Sequence, residues 1–413
     1  MSIKHRNTQQ NSGTVNRKIL VKLAVLAFPL FLSVDLSYIS NMLDNAINAW
    51  KVTSFFILAY SFTRHSMSNP IRVHFFIFLL LMAILFVSTL LNKGSFTQYL
   101  IVWGGFFGVV LFVELYINTA PREMLNALKI VLGVLVVLNA ITAVAFPDGM
   151  RTIVRDEGWR VTTEGYWLLG HRNNFGTPIL GALLVCAVSD MCIYKKLRLS
   201  SAMVALASLI SVVVTWSATS VVTTVLAVTI IAAIGFNARL NKIKPIPLVI
   251  GYAAIDIGIV VFDIQRRFSS FIENVLHRSA DLTGRAQLWD IVKSKIPESP
   301  IIGHGIQLSE NNGLTEYNRN YVHAHNGELD IIYNGGFLCL ICYGALILTA
   351  ASRCTKYWDS PCVRLSFFIL ILIMVHAITG LFFSSYACMV LWLCLNADVL
   401  CRLSMEAAVK NNE

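Results

Sequence analysis

Charge is scarce in this chain. Of its 413 residues, 14% are charged and 56% hydrophobic, whereas a soluble domain carries nearer a quarter charged residues, so a water-soluble globule is excluded. Mean hydropathy is +0.65. Cysteine is missing where a secreted scaffold would need it. All nine (Cys186, Cys192, Cys339, Cys342, Cys354, Cys362, Cys388, Cys394, Cys401) fall in apolar runs or in the basic connections between them. There is accordingly no disulfide framework in the long polar connections and no CxxC…CxxC metal pattern. Cys339 and Cys342, spaced i, i+3 inside an apolar run, read as small packing residues. A small-x-small cleavage pattern is also missing after the first apolar run. That run follows a basic tail (Lys4, Arg6, Arg17, Lys18) and reads as an uncleaved first span.

What the chain has in abundance is apolar runs long enough to cross a hydrocarbon core of about 30 Å. They predict an all-α polytopic membrane protein of about twelve spans, near 19–38, 46–62, 73–91, 99–117, 125–146, 175–194, 200–216, 219–236, 246–262, 329–351, 363–383 and 386–403. The pair around 200–236 also fits a re-entrant hairpin, because only Trp216–Ser220 (WSATS) separates its halves. Lysine and arginine then set the orientation. The even-numbered connections are basic (Arg64 and Arg72; Arg122 and Lys129; Lys195, Lys196 and Arg198; Arg239, Lys242 and Lys244; Arg353, Lys356 and Arg364), and the short odd-numbered ones hold only Lys93. By the positive-inside rule both termini are cytoplasmic. The expected organisation is a cytoplasmic tail (1–18), spans 1–9 (19–262) with an outer loop at 147–174, a large outer loop (263–328), spans 10–12 (329–403) and a second cytoplasmic tail (404–413). The net charge of +10 suits cytoplasmic retention and anionic lipid, with no call for nucleic acid.

The two long outer connections break the charge bias by being rich in arginine, and anion binding is the simplest reason. In 147–174, Arg151, Arg155 and Arg160 alternate with Asp156, Glu157 and Glu164, so a self-neutralising solvated surface explains most of them. Arg172, in Gly170–Gly176 (GHRNNFG), lies where the chain re-enters the membrane, a costly depth unless the cation is paired or lines a wet cavity. In 263–328, Arg266 and Arg267 follow the ninth span directly. Apolar residues at helical spacing then predict two amphipathic helices along the membrane face, the second capped near Thr283. Arg285 falls in the first turn of that helix, at the positive end of its dipole, where a bound anion belongs better than a lone cation. The alternative is a surface salt bridge with Asp281 or Asp290. Gly303 and Gly305 mark a turn. His323 and His325 flank Ala324 and share one side if the chain is extended. Such a pair fits a general base, a structural role, or a metal site with Glu328, Asp330 or His304.

Arg285–Gly305 (RAQLWDIVKSKIPESPIIGHG), then His323–Asn326 (HAHN) and a Gly-Gly pair opening a span, resembles the O-antigen ligase/polymerase superfamily. The pattern is an Arg, a Trp four residues on, a P-x-x-G-x-G turn and a His-Asn before the next membrane helix. The likeness extends over about 170–380, with GHRNNFG similar to the family's upstream Asn-containing motif. It implies a GT-C-like membrane fold and transfer of a glycan from a polyprenyl diphosphate at the outer face. Carried over by residue, His325 is the base and Arg285 the catalytic cation. Arg172, Arg266, Arg267 and Arg278 hold the diphosphate, and Asn326, His323 and Trp289 support them. The resemblance calls for no metal and no cofactor. One departure matters: WSATSVV stands where many members have a Ser-Arg pair, which favours Arg172 as the substitute. The expected function is a polysaccharide polymerase of a bacterial cytoplasmic membrane that joins an undecaprenyl-diphosphate-linked oligosaccharide to a lipid-linked repeat unit, alongside a flippase and a chain-length regulator. A ligase acting on a lipid core, wall or protein acceptor is the close alternative. A transporter of the same lipid-linked sugars is the rival from another class. It fits less well, because few ionisable residues (Asp35, Glu114, Asp256, His376) lie in the spans and no internal repeat is visible.

Overall fold

A computed structural model describes residues 15–32, 40–156, 161–234, 238–264, 285–308, 312–314 and 323–409. These residues are mostly helical. The helices are α1 (Arg17–Phe31), α2 (Asn41–Ser66), α3 (Val73–Leu91), α4 (Phe96–Thr119), α5 (Pro121–Ala145), α6 (Gly176–Tyr194), α7 (Leu199–Thr215), α8 (Ala218–Ala233), α9 (Pro245–Val260), α10 (Arg285–Lys295), α11 (Gly327–Lys356), α12 (Pro361–Ala377), α13 (Ser385–Leu395) and α14 (Ala397–Val409). Five of them (α3, α4, α5, α11, and α6 with the turn before it) are long and apolar enough to cross a membrane, and α13 with α14 makes a sixth candidate bent by 70°. Shorter apolar helices α7, α8, α9 and α12, with α1 and α2 at the first two positions, fill the remaining places where the hydropathy predicts spans. Every predicted span therefore contains a helix, and the chain is a multi-pass membrane protein.

The bundle is organised around α6. It is apolar on all sides, and every residue from Gly176 to Asp190 is buried, the signature of a helix surrounded by others rather than one resting on a surface. It packs against α5, α7, α8, α12, α13 and α14. Small residues make this possible: an added Cβ at Gly181 would press against Met389 and Tyr386 of α13.

The structure adds three features to the expected fold. The stretch predicted as a solvated loop forms a three-stranded antiparallel sheet of β1 (Arg151–Asp156), β2 (Val161–Trp167) and β3 (Gly170–His171), with Arg151 opposite Tyr166 and Tyr166 opposite His171. Its β-branched Thr152, Ile153, Val154, Val161, Thr162 and Thr163 suit a pleated ribbon. The last predicted span is broken at Asn396, where α13 turns into α14. Helix α11 is broken as well: Gly336 has φ +65° and ψ −171°.

The break in α11 is matched by the glycine turn before it. His304 N donates to Tyr333 O (2.8 Å) and Gly305 N to Asn334 O (2.8 Å), while Phe337 N and Leu338 N donate to Pro300 O and Ile301 O (2.8 and 3.2 Å). The turn thus supplies the partners that the interrupted helix lacks, which buried backbone in a membrane protein must find within the protein. Gly303 and Gly305 have φ of +70° and +72°, and a Cβ on Gly336 would lie 2.2 Å from the Ile301 carbonyl carbon. Only glycine fits there. The end of α3 completes the seat: Ser88 Oγ donates to Asn334 O (3.0 Å), Asn92 Nδ2 to Gly303 O (3.0 Å), and Thr89 Oγ1 accepts from Ile306 N (3.0 Å).

Candidate active site

Helix α10 carries Arg285 and is docked by the residue one turn further on. Trp289 is fully buried, and its Nε1 donates to Ala324 O (3.1 Å). Leu288 and Val292 join it in a cluster with Val260, Leu314, Ala324 and Tyr333. The apolar face of α10 is therefore covered by the chain itself. The helix expected here is present, and Ala324 and α11 cover its apolar face. Residues i and i+4 share a helix face, so Arg285 stands one turn from Trp289, whose ring reaches the carbonyl that lies between His323 and His325.

The HAHN turn is held from several sides. Asn326 is fully buried. Its Oδ1 caps α11 by accepting from Leu329 N (2.9 Å), and its Nδ2 donates to Asp256 Oδ1 of α9 (2.8 Å) and to Ile378 O (3.3 Å). Asp330 Oδ1 accepts from Ala324 N (3.1 Å). His325 takes the left-handed conformation, φ +50°, and its N donates to His323 Nδ1 (3.3 Å). The two imidazole centroids lie 3.9 Å apart, so the histidines share one side of the turn. Glu328 and Asp330, weighed from the sequence as metal ligands, already serve the fold. Glu328 accepts from Tyr252 and Tyr343 hydroxyls (2.9 and 3.1 Å), and Asp330 from Asn334 Nδ2 (3.0 Å).

Of the two histidines, His323 lines a cavity of about 180 Å³. Its lining combines Gln98, Gln307, Asn312 and Asp330 with Trp103, Phe106, Phe383 and neighbouring leucines. The lining thus offers both hydrogen-bonding groups and an apolar, aromatic surface.

Arg172 reaches the same end of the bundle by another route. The sheet is anchored by Trp167 Nε1 donating to Phe146 O (2.7 Å) and by Asn139 Oδ1 accepting from Leu169 N (2.9 Å). Directly after β3, Arg172–Asn174 form a single 3₁₀ turn leading into α6. Ser217 of the WSATS segment donates to Asn173 Oδ1 (3.4 Å), and Thr219 meets Thr379 Oγ1 (3.5 Å). The segment that lacks the family's arginine is thus hydrogen-bonded to the residue after Arg172. His376, buried at the end of α12, contacts Asn173 O through Nε2 (3.3 Å), and its ring occupies the space a side chain on Gly176 would need.

The cations themselves are unusual for having nothing to do. Arg285 is half-buried, and burial alone pulls its guanidinium below the ordinary arginine range; an arginine nevertheless stays charged in a protein. It makes no ion pair or hydrogen bond among the described residues. Asp290, one of the two acids considered for it, pairs with Lys293 instead (2.8 Å); Asp281, the other, lies outside the described residues. Arg172 is exposed and makes no ion pair among the described residues. Arg266, Arg267, Arg278 and the cap position near Thr283 lie outside the described residues. Sequence reasoning missed Asn173, His376 and the Asp256–Asn326 bond. The intramembrane Asp256 and His376 were visible as oddities, but their partners are 70 and 203 residues away.

Residues 177–344 match the family model described as O-antigen ligase. Over those residues the chain is similar to the O-antigen ligase family. No curated protein and no solved structure matches the chain. The match runs from the start of α6 to the middle of α11, so the matched segment contains Arg285, the glycine turn, the histidine pair and the α11 break.

Proposed function

We propose that the protein is a polysaccharide polymerase that transfers a glycan from a polyprenyl diphosphate to a lipid-linked repeat unit at the outer face of a bacterial cytoplasmic membrane. The observation that carries this reading is Arg285: a half-buried guanidinium without a partner among the described residues, at the start of α10 and one helical turn from Trp289, which is bonded to the carbonyl between the two histidines. A charge left unpaired in that setting costs stability, and an arginine fork suits a phosphate oxygen pair. Arg172 is the second contact and stands in for the arginine missing from WSATS; Arg266, Arg267 and Arg278 complete the diphosphate set. The twelve-span arrangement, with cytoplasmic termini and the 263–328 connection outside, is part of the same proposal. So is a GT-C-like fold.

In this mechanism the acceptor hydroxyl oxygen attacks C1 of the donor sugar, the C1–O bond to the diphosphate breaks, and the diphosphate departs with its negative charge. Arg285 stabilises that charge as it grows. The histidine pair takes the hydroxyl proton. His325 is the base by family position; His323 lines the cavity and donates or accepts beside it. The aromatic surface of Trp103, Phe106 and Phe383 receives apolar parts of the lipid-linked substrates, and Gln98, Gln307 and Asn312 bind sugar hydroxyls. A ligase would use the same groups with a different acceptor.

The test replaces Arg285, His323 and His325 singly with alanine and resolves the surface glycan on a gel. Loss of long chains with single repeats still attached to their acceptor supports the polymerase. Loss of all attached glycan replaces it by the ligase. Normal chains from the Arg285 variant would overturn the site.

A further inference from the structure

At the end of the bundle remote from the candidate site, α5, α6 and α7 leave a groove of about 480 Å³. Its long wall is Ile130, Gly133, Val134, Val137 and Leu138 of α5, faced by Met203 and Val204 of α7. Ile130, Val134, Leu138 and Met203 are exposed, so the groove opens outward from the bundle. From Asn126 to Leu138, α5 rises about 18 Å, close to the depth of one leaflet, half of a core of about 30 Å.

The mouth of the groove is cationic. Lys129 and Arg198 line it, and Lys195 and Lys196, in the turn between α6 and α7, are exposed beside it. The acid at this mouth is already used: Asp190 is fully buried and accepts from Lys129 Nζ, from Arg198 N (2.8 Å) and from Ser201 Oγ (2.6 Å). Asp190 thus neutralises Lys129 and leaves Lys195, Lys196 and Arg198 unmatched by it. The Arg198 guanidinium lies 4.4 Å from the centroid of the Tyr194 ring, which holds it at the rim. Helix α7 begins at the same place without a side-chain cap, so its first amide N–H groups and the positive end of its dipole add to the field.

We infer that this groove binds one anionic phospholipid of the leaflet nearest the basic connections, its phosphate at Arg198 and the start of α7 and an acyl chain along α5. Charge complementarity selects the occupant. A zwitterionic lipid would carry its ammonium into a positive mouth, whereas a net negative headgroup meets only attraction. The inference stands on this groove alone and not on the chemistry assigned to the candidate site.

The experiment uses the full chain purified in mild detergent, with retained lipid counted by native mass spectrometry after addition of dioleoylphosphatidylglycerol or dioleoylphosphatidylethanolamine. The expected result is preferential retention of one phosphatidylglycerol. Arg198→Gln should weaken that preference about fivefold, the worth of one cation near a lipid surface. Val134→Trp fills the groove from an exposed position without altering the helix contacts, and should abolish retention of both lipids. Arg64→Gln, a basic residue at the same end but off the groove, should change nothing, and a thermal melt of each variant confirms folding. Equal retention of the two lipids, or a preference that survives both Arg198→Gln and Val134→Trp, overturns the inference. Displacement of the phosphatidylglycerol by an equimolar polyprenyl phosphate would overturn it in favour of a substrate-class occupant.

Discussion

Two ends of α3 treat charge in opposite ways. At its start, Arg72 donates to both carboxylate oxygens of Asp398 (3.0 Å each), to Asn396 (2.6 Å) and to Asn118 (3.2 Å), and Arg353 adds a second bond to Asp398 (2.6 Å). Buried Glu114 meets His74, Trp392 and Asn396 (3.4, 3.1 and 3.5 Å). Each of these charges has a partner, and Trp392, Asn396 and Asp398 among them sit at the bend between α13 and α14. Beyond the other end of α3, Arg285 is half-buried with no partner among the described residues. Paired cations hold helices in place. An unpaired cation costs stability unless it meets an anion, which is why Arg285 carries the proposed site.

The contrast breaks most sharply at Arg285. Arg285→Ala should lower glycan transfer on the order of 10²–10³-fold, as loss of one preorganised charge-stabilising donor does, while the melting temperature in detergent stays level or rises. A fall in melting temperature with transfer retained would make Arg285 structural and erase the comparison. Next comes Asn326→Ala, which removes a helix cap and strands buried Asp256; a loss of about 3 kcal/mol in unfolding free energy is expected, together with lost transfer, read by denaturant titration and the glycan gel. Arg72→Ala should cost about 2 kcal/mol and leave the transfer rate per folded molecule unchanged, which in vitro assay of a concentration-matched sample can check. The smallest effect belongs to Trp289→Phe. It keeps the ring but drops the bond to Ala324 O, so about 1 kcal/mol is lost, and a shift confined to the KM for acceptor would show that α10 positions the histidine turn.

Much of the architecture was legible because hydropathy is a one-dimensional signal: α3 begins and ends where the apolar run does, and the positive φ at Gly303 and Gly305 was announced by the spacing of the turn. The Arg-Trp spacing likewise placed Arg285 and Trp289 on one helix face. Other features were hidden for identifiable reasons. The sheet at 151–171 carries alternating charges that mimic a solvated loop. Gly335–Gly336 reads as a pair opening a span, and only the docked turn reveals it as a break inside one. The role of Asn326 depends on Asp256 of another helix, and that of His376 on the Asn173 carbonyl across the bundle. Such pairings are set by helix packing and leave no local trace.

The seat of the glycine turn also bears on how this domain could be moved between proteins. Ser88, Thr89 and Asn92 satisfy backbone groups at Gly303, Asn334 and Ile306, yet they lie far upstream of the matched residues 177–344. Asn326 likewise leans on Ile378, beyond its other boundary. A segment excised at those limits would present these carbonyls and amides to hydrocarbon, at several kcal/mol each. Grafts and chimaeras should therefore exchange α3 and the end of α12 together with the matched segment, since the unit of inheritance recognisable by alignment is smaller than the unit that can fold.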